Sequence, residues 1–95
     1  MGKPAARLGD RVEHPAGYVL TGGPASPNVF IGGRRAWRAE IDIHICPVHA
    51  PGKVIVGSTK VFINGYPACR LGDKIVEPNA INTIVEGCPT VAIAD

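Results

Sequence analysis

Pro67-Ala68-Cys69-Arg70-Leu71-Gly72-Asp73 repeats, almost letter for letter, the earlier stretch Pro4-Ala5-Ala6-Arg7-Leu8-Gly9-Asp10. Between them lies a worn third copy, Arg35-Ala36-Trp37-Arg38, followed by Ala39-Glu40-Ile41-Asp42 with one extra residue before the Asp. The arginines Arg7, Arg38 and Arg70 stand 31 and then 32 residues apart. The units also close alike. The first has Ser26-Pro27-Asn28-Val29-Phe30-Ile31-Gly32-Gly33, the second Ser58-Thr59-Lys60-Val61-Phe62-Ile63-Asn64-Gly65, and the third Cys88-Pro89-Thr90-Val91-Ala92-Ile93. A fixed period of this length marks a repeat architecture whose units cannot bury a core alone. Repeats at about 4–33, 34–65 and 66–95 are therefore expected to pack around a shared pseudo-threefold axis, with a short solenoid as the alternative.

The composition agrees with strands rather than helices. Twelve Gly and nine Pro break up any long helix. The apolar residues fall in short runs bounded by Gly, Pro, Asn or Ser: Tyr18–Leu20, Val29–Ile31, Val54–Val56, Val61–Ile63, Thr83–Val85 and Val91–Ile93. Convincing 3.6-residue periodicity is lacking throughout, so the fold class is all-β, in a single domain over 1–95. Gly32-Gly33 and Asn64-Gly65 suit tight turns that need positive φ.

The net charge of +2 comes without a basic run, and little aromatic interleaving is present, which argues against nucleic acid as a partner. No apolar stretch approaches the roughly 18 residues of a membrane span. No signal peptide is visible, because Met1-Gly2-Lys3-Pro4 runs straight into repeat sequence. Met1-Gly2 does not make a myristoylation motif, since Ala6 stands where Ser or Thr is needed.

So small a domain is expected to need a staple. Three Cys cannot all pair within the chain, so a metal leads over disulfides. His44-Ile45-Cys46-Pro47-Val48-His49 places two imidazoles and a thiol within six residues, and His14 is the one remaining His. Four residues after the Asp of each unit come His14, Cys46 and Glu77, so these positions should converge near the axis. On an extended segment His44 and Cys46 face the same side, and Pro47 turns the chain so that His49 swings back. His14, His44, Cys46 and His49 form a tetrahedral N/S set suited to Zn²⁺, with Fe²⁺ as the alternative metal. Glu77 is the rival to Cys46 as fourth ligand, its duller interpretation being a surface charge. Cys69 and Cys88 occupy the slots of Ala6 and of Ser26 and Ser58, and read as small packing residues. Gly9 and Gly72 allow a turn in which Asp10 and Asp73 accept backbone N–H groups or pair with Arg7 and Arg70. Trp37 is read as an aromatic covering the second unit.

Pro4-Ala5-Ala6-Arg7 and its near copy Pro67-Ala68-Cys69-Arg70, together with the three-part period, the Asn-Gly turn and the His/Cys cluster, make the whole chain resemble the PAAR-repeat family. The resemblance implies a small β-rich cone that caps a trimeric β-helical spike, either the VgrG-type spike of type VI secretion or the central spike of a contractile phage tail. It also implies a zinc ion held by His14, His44, Cys46 and His49 near the vertex. On that basis the protein is expected to be a non-enzymatic structural tip that sharpens a membrane-piercing spike and attaches effector or cargo proteins. It should be monomeric alone. It should reside in the cytoplasm before assembly and be delivered outward on the apparatus without a signal peptide. The chain stops soon after the third unit, so a bare tip without a fused effector is expected, in either a secretion apparatus or a phage baseplate. The rival classes are a small zinc hydrolase, with Glu77 as general base, and a free-standing adhesive β module.

Overall fold

The computed structural model describes residues 2–14, 17–22, 24–44, 51–77 and 80–94, with residues 14 and 17–20 described by backbone alone. Among the described residues there is no helix, and hence none long and apolar enough to cross a membrane. The strands are short: β1 (Lys3–Ala5), β2 (Arg11–His14), β3 (Gly17–Leu20), β4 (Phe30–Ile31), β5 (Arg34–Arg35), β6 (Lys53–Val54), β7 (Phe62–Ile63), β8 (Tyr66–Pro67), β9 (Lys74–Glu77), β10 (Ala80–Thr83) and β11 (Cys88–Ile93). They pair antiparallel as β2-β3, β4-β5, β7-β8 and β1-β11, with one three-stranded sheet in the order β10-β9-β6.

What ties these small sheets together is a closed cycle of backbone bonds through the repeated motif. The Ala6 N–H donates to the Cys69 carbonyl (3.0 Å), Cys69 to Trp37 (3.1 Å), and Trp37 back to Ala6 (3.1 Å). A second ring runs beside it: Leu8 donates to Arg35, Ala39 to Pro67 and Leu71 to Pro4, each at 2.8 Å. No repeat satisfies these donors by itself, which is the physical reason the three fold as one unit.

The expected turn chemistry is present. Gly32 and Gly33 have φ of 58° and 82°, and Asn64 and Gly65 have 55° and 84°, so both hairpin loops carry two positive-φ residues. β4-β5 pairs Ile31 with Arg34 and Phe30 with Arg35, while β7-β8 pairs Ile63 with Tyr66 and Phe62 with Pro67. The third hairpin is split between the two ends of the chain: β1-β11 pairs Ile93 with Lys3 and Ala92 with Pro4 in the same register.

The core has two layers. One is threefold in composition, with Ala5, Ala36 and Ala68 against Ile31, Ile63 and Ile93, and Val29, Val61 and Val91 packed at its margin. The other gathers Val12, Val54, Ile75 and Ile84 around Trp37. Trp37 is wholly buried and donates its indole N–H to the Gly22 carbonyl at 2.6 Å. It is therefore a core residue and not a covering aromatic, because it occupies the slot of Ala6 and Cys69, which faces inward in every repeat. Cys69 and Cys88 are buried free thiols, as their packing role requires.

Each repeat carries the same Arg–Asp clamp. The Arg7, Arg38 and Arg70 backbone N–H groups donate to Asp10, Asp42 and Asp73 Oδ2 at 2.7, 2.7 and 2.8 Å. Their guanidinium Nη2 atoms reach Oδ1 of the same carboxylates at 2.8, 2.9 and 2.8 Å. The carboxylate thus closes the turn and holds the buried guanidinium at once. The hydrogen bond that Arg7 donates to Asp10 raises the Arg7 pKa, and the one that Arg38 donates to Asp42 does the same for Arg38.

Candidate metal centre

The candidate site lies next to the Trp37 layer of the core. β2-β3 and β9-β10 are equivalent hairpins, and His14 and Glu77 hold the same final register position, opposite Gly17 and Ala80. In the second repeat the bridge His44↔Gly52, closed by backbone bonds of 2.8 and 2.9 Å, matches instead the pairs Val12↔Val19 and Ile75↔Asn82, two residues earlier on each hairpin. His44 stands two residues after its Asp, as do Val12 and Ile75, and all three are wholly buried. An imidazole thus fills a slot that the other two repeats give to core aliphatics.

Glu77 is buried as well, at 4% exposure, which corrects the expectation of a surface charge. Its carboxylate turns inward because β9 alternates, with Ile75 and Glu77 on the buried face and Lys74 and Val76 outside. Glu77 Oε2 lies 3.7 Å from His44 Nε2, within ion-pair distance but longer than a hydrogen bond. Its other oxygen accepts a hydrogen bond from Asn82 Nδ2 at 2.6 Å. Gly52 makes room for this side chain. A Cβ at residue 52 would collide with Glu77 Cγ and come within 2.8 Å of the Val76 carbonyl oxygen.

Of the expected ligands, the structure places His44 in the site and brings the rival Glu77 to it. His14 is at the equivalent end of β2 by its backbone, and Cys46 and His49 lie outside the described residues. Among the described residues no group of three or more His, Cys, Asp and Glu side chains gathers as a cation site. His44 and Glu77 nevertheless fit a metal centre: a buried imidazole and a buried carboxylate stand side by side, with a glycine clearing space beside them. Asn82 was not singled out from the sequence. Its signal is a polar residue in the slot that β3 gives to Val19 and the second repeat gives to Gly52.

An all-β domain built from three hydrogen-bonded repeats, each with an Arg–Asp clamp, defines the class: a small β-repeat protein. The chain belongs to the PAAR motif family, which matches it over residues 12–76 and 48–95. Membership implies a spike-tip role in secretion systems. The chain is also 36% identical over 69 residues, 72% of its length, to the double-stranded DNA deaminase toxin A of Burkholderia cenocepacia (strain H111). It spans 5% of that protein's length.

Proposed function

We propose that this protein is the metal-pinned tip of a contractile injection system, capping a trimeric β-helical spike. The observation that carries this is the closed backbone cycle Ala6–Cys69–Trp37, with its second ring at Leu8, Ala39 and Leu71. On this reading it lets one chain present three similar faces, about an expected pseudo-threefold axis, to a platform of three identical chains. Phe30 and Phe62, each 57% exposed at equivalent hairpin positions, form the docking end together with Ala92. These hairpins adjoin the alanine–isoleucine layer, whereas His44 and Glu77 adjoin the Trp37 layer, so the metal centre leads and the phenylalanines face the spike. Similarity to part of a bacterial toxin favours a secretion apparatus that carries effectors over a phage tail. On this reading the protein waits in the cytoplasm and leaves on the spike.

His14, His44, Cys46 and His49 would hold the metal, Zn²⁺ by their donor chemistry. Bound, it supplies a cross-link between repeats, worth on the order of 10 kcal/mol in small domains. The burial of the His44 and Glu77 side chains speaks against a hydrolase, which keeps a metal position open to substrate.

Native mass spectrometry with a trimeric spike fragment tests the proposal. The expected species is one chain on three, carrying one metal ion. Phe30→Asp together with Phe62→Asp should abolish the complex while the free chain stays folded. Chelation should lower the melting temperature of the free chain. Failure to form the complex with any spike trimer, or a fold indifferent to metal, would sink the respective half.

A further inference from the structure

We propose that Glu77 is a positioning residue of the metal centre, its carboxylate held by Asn82, admitted by Gly52 and set against Nε2 of His44. The inference rests on the metal-centre reading above and extends it to the third repeat. His44 Nε2 faces Glu77 Oε2 at 3.7 Å, so the carboxylate stands directly against the ring. Carboxylates beside ligating imidazoles fix ring orientation and raise ligand basicity.

Charge supports the same assignment. Three neutral imidazoles and one thiolate leave a divalent ion with a net charge of +1. A buried site of that charge is costly unless compensated. Glu77 brings a buried carboxylate to the site. Asn82, 7% exposed, donates at 2.6 Å to the oxygen that does not face His44 and so fixes the direction in which the other one points. Gly52 completes the device, because any side chain there would displace Glu77 from His44.

The test uses the full chain and zinc. Wild type, Glu77→Gln and Asn82→Ala are titrated with Zn²⁺ against a chromophoric chelator. Unfolding of the metal-free and loaded forms is followed in parallel. Glu77→Gln keeps the shape and an oxygen for Asn82, and is expected to weaken zinc affinity 10- to 100-fold. Metal-free stability should change little, and the Co²⁺ spectrum should retain its thiolate band and ligand number. Asn82→Ala is expected to weaken affinity in the same direction by a smaller factor. Unchanged affinity in Glu77→Gln, with only metal-free stability altered, would make the role structural and overturn the proposal. A Co²⁺ ligand-field spectrum showing a lost donor would make Glu77 a ligand and overturn it equally. A wild-type chain that binds no zinc would instead refute the metal centre itself.

Discussion

Glu40 is the residue at which the repeat is most visibly worn. Its φ of 73° matches the 88° of Gly9 and the 95° of Gly72, and its N–H donates to Val54 as theirs donate to Thr21 and Ile84. A left-handed conformation costs a non-glycine residue roughly 1 kcal/mol or more. Glu40 is exposed, so Glu40→Gly should raise stability by about 0.5–1 kcal/mol in urea unfolding, the gain being reduced by the extra entropy of an unfolded glycine. Cys69 makes a pH prediction. Burial pushes its thiol well above its ordinary value of 9.0, and Asp73 and Asp42 push the same way. Above pH 9 the unfolded chain therefore loses a proton that the folded chain keeps, and stability falls as pH rises. Cys69→Ala should flatten that slope relative to wild type in denaturation measured from pH 8 to 10.5. Sequence alone ranks Glu77 below Cys46 as a ligand and favours an ordinary surface charge for it. Strand alternation, visible only once β9 was located, turns it inward.

At the level of the element, the turn that opens each closing strand shows how the repeats lock. The Ser26 hydroxyl accepts the Val29 N–H at 3.0 Å and donates to Asn64 Oδ1 at 2.6 Å, which also accepts from Arg38 Nη1 at 3.3 Å. Ser58 accepts the Val61 N–H at 2.9 Å and donates to the Ala94 carbonyl. In the third repeat Cys88 takes this place and faces Gly32, where a Cβ would lie 3.1 Å from both Cys88 Sγ and Arg7 Nη1. Cys88→Ser made with Gly32→Asn should rebuild the Ser–Asn–Arg link. The pair is expected to be more stable than the sum of the single changes by about 1 kcal/mol, read from a double-mutant cycle in thermal or urea unfolding. The two hairpin loops were legible from their dipeptides because positive φ at both central positions leaves few residue choices. β9 was not legible, since Lys74-Ile75-Val76-Glu77 has only two apolar residues between charged ones, too short a run to show a strand period.

The whole molecule is a ring whose seam is the chain ends. β1 and β11 stand where the other repeats have a two-residue hairpin, so covalent closure there is not what holds the fold together. Linking Ile93 to Lys3 through a two-residue Asn-Gly turn, with new ends opened between Asn64 and Gly65, should give a permuted chain with native circular dichroism and cooperative unfolding. A molten or unfolded permutant would show that the third hairpin is not equivalent to the others. Removing residues 1–6 should unfold the protein, since it deletes the Ala6 member of one ring and the Pro4 acceptor of the other.

The repeated Pro-Ala-x-Arg stretch, the turn dipeptides and the short apolar runs by themselves determined an all-β chain of three units, because hydrophobic period and turn chemistry are local properties. That the three Ala-Ile sets meet in one layer, that Trp37 is buried with aliphatics of the other two repeats, and that Glu77 lies against His44 were decided only by the tertiary structure. Those contacts join residues from different repeats. Their burial depends on which strand faces meet, and no single stretch of the chain encodes that.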